Sequence, residues 1–311
     1  MYSSVPYHRL ARTASHRWWR PVVGTLVLVV SWFVAVGVVY AFADAIGMVV
    51  GRPVGADGVS DWGDTGGFGV ELLTLGALIP CVALAAWWVQ RRRPGTVSSV
   101  QGRLRLGWLG VCLMVAVPAM ALILVADTVL SVLTTGPTEE VSSGGGWVGA
   151  GPFAAALLML LVLVPLQTAA EEYLCRGWLL QAVGAFVRAP WLPIGVQAVA
   201  FAAIHGAGTP WGFIDLILFG AVTGWLVVRT GGLEAAIALH LVNNLVAMGA
   251  SAAFGELTSS ANAADAQWQI LAVDLAMFPL YAAAITWLAR RRDLVTAAAV
   301  PAAPDPVLES A

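Results

Sequence analysis

Residues 21–43 read PVVGTLVLVVSWFVAVGVVYAFA, an apolar run with no Asp, Glu, Lys, Arg or His in it. A helix rises 1.5 Å per residue, so about 20 such residues cross the hydrocarbon core of a bilayer. A basic arm bearing Arg9, Arg12, Arg17 and Arg20 precedes the run. Its end, Ala41-Phe42-Ala43, resembles a signal-peptidase site. The apolar core of a signal peptide is only about 7–15 residues, however, and the expectation is an uncleaved first transmembrane helix.

The rest of the chain repeats the pattern. Of 311 residues, 59% are apolar and 11% charged, too little charge to keep a soluble surface wet. Eight spans are predicted, at roughly 21–43, 69–90, 106–127, 152–180, 191–206, 211–229, 233–251 and 267–289. The fold class is therefore an all-α, polytopic transmembrane helical bundle. Gly-, Pro-, Ser- and Asp-rich stretches such as Gly51–Gly67 and Thr134–Gly146 read as loops. The fifth span, Trp191 to His205, is short, and protein-lined cavities permit such a partial crossing.

Charge follows the same alternation. Arg clusters stand at 9–20, 91–105, 176–188, 229 and 290–292. The alternate loops carry Asp44, Asp57, Asp61, Asp64, Glu139, Glu140, Glu256 and Asp265. Positive-inside logic places both termini in the cytoplasm. The expected organisation is a basic cytoplasmic arm (1–20), N-terminal transmembrane helices and loops (21–150), and a core (151–251). An outer loop with the last helix (252–292) and a disordered Ala/Pro tail (293–311) follow. A net charge of −2 and clustered Arg leave no nucleic-acid footprint. Cys81, Cys112 and Cys175 lie in apolar segments without a Cys-x-x-Cys pair, and read as small buried hydrophobes rather than disulfide or zinc ligands.

Ionisable groups inside the spans are costly and mark function by default. Glu171-Glu172-Tyr173-Leu174-Cys175-Arg176 closes the fourth span. Adjacent helical positions point about 100° apart, so the two carboxylates are expected to face different ways. Glu172 and Arg176, at i and i+4, form a clamp, which leaves Glu171 facing the interior as a general base. The ordinary alternative is a charge cluster at the membrane surface. Phe201 and His205 share a face of the fifth span; the ordinary alternative is a single satisfied His at a helix end. His240 and Asn244 share a face of the seventh, as an oxyanion-binding pair or as interhelical polar glue. A carboxylate, two imidazoles and an amide on three helices make a water-activating set. Two routes are open: a divalent metal such as zinc held by Glu171, His205 and His240, or metal-free Glu–His chemistry.

Asp215 and Asp274 also lie within spans; Asp215 reads as interfacial and Asp274 as a bond to a neighbouring helix. Gly220 and Gly224 read as a close-packing face, and Trp residues near span ends as interfacial anchors.

The three motifs, in this order, resemble the CPBP family of intramembrane proteases, the CAAX protease and bacteriocin-processing (Abi-like) family. Its pattern is Glu-Glu-x-x-x-Arg, Phe-x-x-x-His and His-x-x-x-Asn/Asp. Here these are Glu171, Glu172 and Arg176; Phe201 and His205; His240 and Asn244, with Arg229-Thr230-Gly231-Gly232 turning into the His240 helix. The resemblance covers roughly 150–250. It implies peptide-bond hydrolysis in the membrane, with Glu171 activating water, His205 assisting, and His240 and Asn244 completing the site. Glu172, Arg176 and Phe201 would support it. The partners implied are the lipid bilayer and a peptide or protein substrate, membrane-anchored in the CAAX case. Two other functions compete: a non-catalytic scaffold or immunity protein, and a transporter with a Glu/His proton relay. Counting residues from the predicted helix starts sets His240 about 12 Å from the cytoplasmic face, in a cavity expected to open to the cytoplasm.

Overall fold

The computed structural model of the chain describes residues 2–56, 58–135, 146–258 and 262–301. Asp57, Glu139 and Glu140 of the acidic loops, and residues 302–311 of the tail, lie outside the described residues.

Among the described residues, ten α-helices follow one another: α1 (Trp19–Val49), α2 (Gly63–Gly76), α3 (Leu78–Leu84), α4 (Leu106–Thr135), α5 (Ala150–Glu172), α6 (Leu180–Gly184), α7 (Trp191–Ile204), α8 (Pro210–Thr230), α9 (Glu234–Ala253) and α10 (Trp268–Arg291). The α2–α3 pair and the α5–α6 pair each run on through a π-helical stretch. Among the described residues, seven stretches are long and apolar enough to cross a membrane: Trp19–Val49, Gly63–Val89, Leu106–Thr135, Ala150–Gly184, Pro210–Thr230, Glu234–Phe254 and Trp268–Arg291. The eighth, α7, has 14 residues, a length of roughly 21 Å. The chain is an integral, multi-pass membrane protein.

The first helix outruns its predicted end because Asp44, beyond the apolar run, has a local partner. Its carboxylate accepts from the Ser60 backbone N–H at 2.7 Å and from the Ser60 hydroxyl at 2.8 Å.

Within the tail, residues 297–301 depart from the expectation of disorder. Ala297–Pro301 (β2) pairs antiparallel with Tyr2–Pro6 (β1), in the register Tyr2 with Pro301 to Pro6 with Ala297. Two short segments poor in side-chain bulk find their hydrogen-bond partners in each other, a pairing without any local sequence signal. The ladder requires both ends of the bundle at one face, and hence an even number of crossings. With seven long stretches, the short α7 must supply the eighth.

That face carries the chain's positive charge. His8 Nε2 donates to the Arg188 carbonyl at 2.9 Å, Arg9 to Val187 at 2.7 Å and Arg12 to Ala185 at 2.8 Å, so the arm is packed against the α6–α7 turn. Arg105 clamps Glu234 at 2.6 and 2.9 Å and also donates to the carbonyls of Thr230 and Val295. All 16 basic residues are Arg; Arg52 follows α1 at the opposite face, Arg176 is wholly buried, and Arg92 and Arg105 are nearly so.

Inside the bundle, α9 packs between α4 and α5 while α7 packs on α8. The Gly220–Gly224 face does allow close packing. A Cβ on Gly220 would stand 2.8 Å from the Ala198 Cα, and Gln197 of α7 donates to the Gly220 carbonyl at 2.6 Å. Cys81, Cys112 and Cys175 are buried free thiols.

Candidate active site

The Glu-Glu motif sits where α5 changes its winding. Residues Tyr173–Leu179 form a π-helix that starts one residue after Glu172, a wide turn often found at functional sites. Arg176, fully buried, still reaches back to Glu172 Oε1 at 2.8 Å. Its guanidinium lies over the rings of Phe201 at 4.1 Å and Phe219 at 5.4 Å. The cation is thus held by one carboxylate and two aromatic faces.

The two carboxylates do not part as expected. His240 Nδ1 donates to Glu172 Oε1 at 2.8 Å, while its Nε2 stands 3.5 Å from Glu171 Oε2. A helix does aim adjacent side chains apart, but an imidazole carries nitrogens on two edges. One ring inserted from α9 therefore meets both acids. Glu172 is consequently more than an Arg clamp: it fixes which His240 nitrogen faces the cavity.

Glu171 has a second partner that sequence reasoning missed. Gln167, one helical turn earlier, donates to Glu171 Oε1 at 2.6 Å and accepts from Asn244 Nδ2 at 3.2 Å. Gln167 is buried, 3% exposed. A lone amide at i−4 from the acid in an apolar helix was the available signal. Glu171 Oε2 is buried without a hydrogen-bond partner.

His205 caps the C-terminus of α7. Its Nδ1 lies 2.7 Å from the Phe201 carbonyl. A carbonyl can only accept, so Nδ1 carries the proton and Nε2 keeps its lone pair. Phe201 stacks on Phe219 (5.6 Å), and both rings meet His240 edge-on at 5.7 and 5.2 Å.

Phe201, His205, His240 and Asn244 line one cavity of ≈ 210 Å³. Glu171 is not among its lining residues and has no direct hydrogen bond to His205. The cavity is smaller than the roughly 300–1,000 Å³ of typical small-molecule pockets, room for a side chain or two. As for zinc, no group of three His, Cys, Asp or Glu among the described residues is disposed to hold a metal ion. His240 Nδ1 is taken by Glu172. The donors fit a metal poorly.

The cavity does not open as expected. Residues 231–240, from the basic face to His240, are buried without exception, whereas residues 241–251 are partly exposed. Its wall continues to Ala263 and Ala266, in the loop at the face opposite the Arg clusters. The clasp of Arg105 on Glu234 plugs the basic end.

Fold and site define a class: a polytopic membrane protein with a carboxylate, two imidazoles and an amide gathered inside its bundle. Residues 153–246 match the model of the family described as type II CAAX prenyl endopeptidase Rce1-like. All three motifs fall within it. The chain is also 34% identical over 102 residues to the uncharacterized protein YyaK of Bacillus subtilis (strain 168); the match covers 31% of this chain and 34% of that protein. The chain thus aligns with about a third of that relative's length. No solved structure matches.

Proposed function

We propose that the chain is an intramembrane endopeptidase in which Glu171 is the general base for a water, without a metal. The observation that carries this is the free, buried Glu171 Oε2 beside His240 Nε2, in a bundle whose adjoining cavity holds His205 and Asn244. Glu171 takes a proton from water as its oxygen bonds to the peptide carbonyl carbon. The unprotonated His205 Nε2 accepts the water's other hydrogen and orients the attack. The oxyanion receives a hydrogen bond from the Asn244 amide, while the Nδ1–H of His240 stays anchored on Glu172. As the C–N bond breaks, Glu171 returns its proton to the leaving amine. General-base catalysis of this kind is worth about 10²–10⁴-fold, and an oxyanion donor roughly 10²–10³-fold.

The substrate in this reading is a peptide or protein held at the membrane, as for CAAX-type enzymes, and the Arg-rich face is cytoplasmic. The test uses purified protein in lipid nanodiscs with a peptide library, with and without chelator. Glu171→Gln is expected to lower cleavage by about 10²-fold or more with the size-exclusion profile unchanged. Equal activity in the two proteins removes Glu171 as base and favours a scaffold. Loss of activity with chelator replaces the metal-free route.

A further inference from the structure

Beyond the histidines, the same cavity is lined by Asp215 of α8 and Asp274 of α10. Asp274 is 5% exposed. One oxygen of each is buried without a hydrogen-bond partner, as is one of Asp127 on α4. Asp215 and Asp127 stand close enough for Asp274 to feel their charge.

The contrast with the protein's other buried acids is the point. Glu172 is paired with Arg176 at 2.8 Å and Glu234 with Arg105 at 2.6 Å. Where this fold buries a carboxylate for structure, it supplies a guanidinium. Among the described residues no basic side chain bonds Asp127, Asp215 or Asp274. An unpaired carboxylate withdrawn from water is strongly disfavoured, so a counter-charge arriving with a ligand would meet a prepared site. Metal donors are not gathered here, whereas one long cationic side chain fits a cavity this narrow. Such a group would enter from the partly exposed half of α9, since the basic face is closed.

We propose that Asp274, with Asp215 beside it, is a specificity subsite that receives an Arg or Lys side chain of the substrate near the scissile bond. This deepens the protease reading and rests on it.

Binding tests it apart from catalysis. In the Glu171→Gln background, a labelled, acetylated Leu/Ala peptide with one central Arg is compared with its Gln and Glu counterparts. The Arg peptide is expected to bind about tenfold tighter or more, and Glu171→Gln/Asp274→Asn to bring the Arg and Gln peptides within about twofold. Asp215→Asn should narrow the gap less. Equal binding of the three peptides, binding of none, or equal weakening of all by Asp274→Asn overturns the subsite. Undiminished proteolysis by Glu171→Gln alongside an Arg preference overturns the base assignment and leaves the subsite standing.

Discussion

The two cavity imidazoles are made unlike by what holds their Nδ1 atoms: a backbone carbonyl for His205, a carboxylate for His240. Glu172→Gln therefore has two effects. It loosens His240, and it leaves the buried Arg176 charge unpaired, which costs about 3–5 kcal/mol. Thermal unfolding in nanodiscs should show a lowered Tm, with cleavage lowered as well. The double change Glu172→Leu/Arg176→Met should recover much of the Tm and none of the activity. Outside the membrane, His8 offers a pH test. Its Nε2 donates to Arg188, its Nδ1 is buried without a partner, and burial with Arg9 nearby lowers its pKa. The folded state thus favours the neutral ring. The stabilisation is complete above the ordinary value of about 6.5 and lost as pH falls below it. Limited proteolysis of the arm should accelerate on acidification below that value, and His8→Gln should flatten the response.

Helix ends position the site. Gly231 adopts φ +74° at the C-cap of α8, and a Cβ there would meet the Thr296 backbone at 2.8 Å. Gly231→Ala combines left-handed strain of about 1 kcal/mol with that clash. The loss should appear as a lower Tm and as increased labelling of a cysteine placed at Val295. At this scale much was readable. Spans of 20 or more apolar residues announced themselves, and each motif lay on the helix expected. The π-helical stretch was not readable, because Tyr-Leu-Cys-Arg-Gly-Trp-Leu carries an ordinary helical pattern and only packing against α3 and α7 selects the wider winding. Gln167 showed its i−4 spacing from the acid, but its bond to Asn244, 77 positions away, was not readable. The meeting of Glu171 and Glu172 on one ring was hidden for a similar reason: helix geometry describes one helix, and the shared partner comes from another.

Over the whole molecule, charge and strand pairing agree on an even number of crossings. Ser4 pairs with Ala299, so a Ser4→Cys/Ala299→Cys protein should form an intramolecular disulfide under mild oxidation, read as a gel shift reversed by reductant. A Cys at residue 52, at the other face, should not cross-link with either. Hydropathy alone could not decide α7, whose 14 residues fall short of a full span; the clasped termini count it. The direction in which the site opens was illegible because it depends on the Arg105–Glu234 plug, two residues 129 positions apart.

That clasp also sets an order of events during synthesis. β1 is made before every helix of the bundle, yet its partner β2 emerges only after α10. Until then Tyr2–Pro6 waits with its backbone groups unpaired while the intervening helices enter the bilayer. A nascent chain stalled before residue 297 would hold every motif of the site and still lack the closure that ties its first helix to its last.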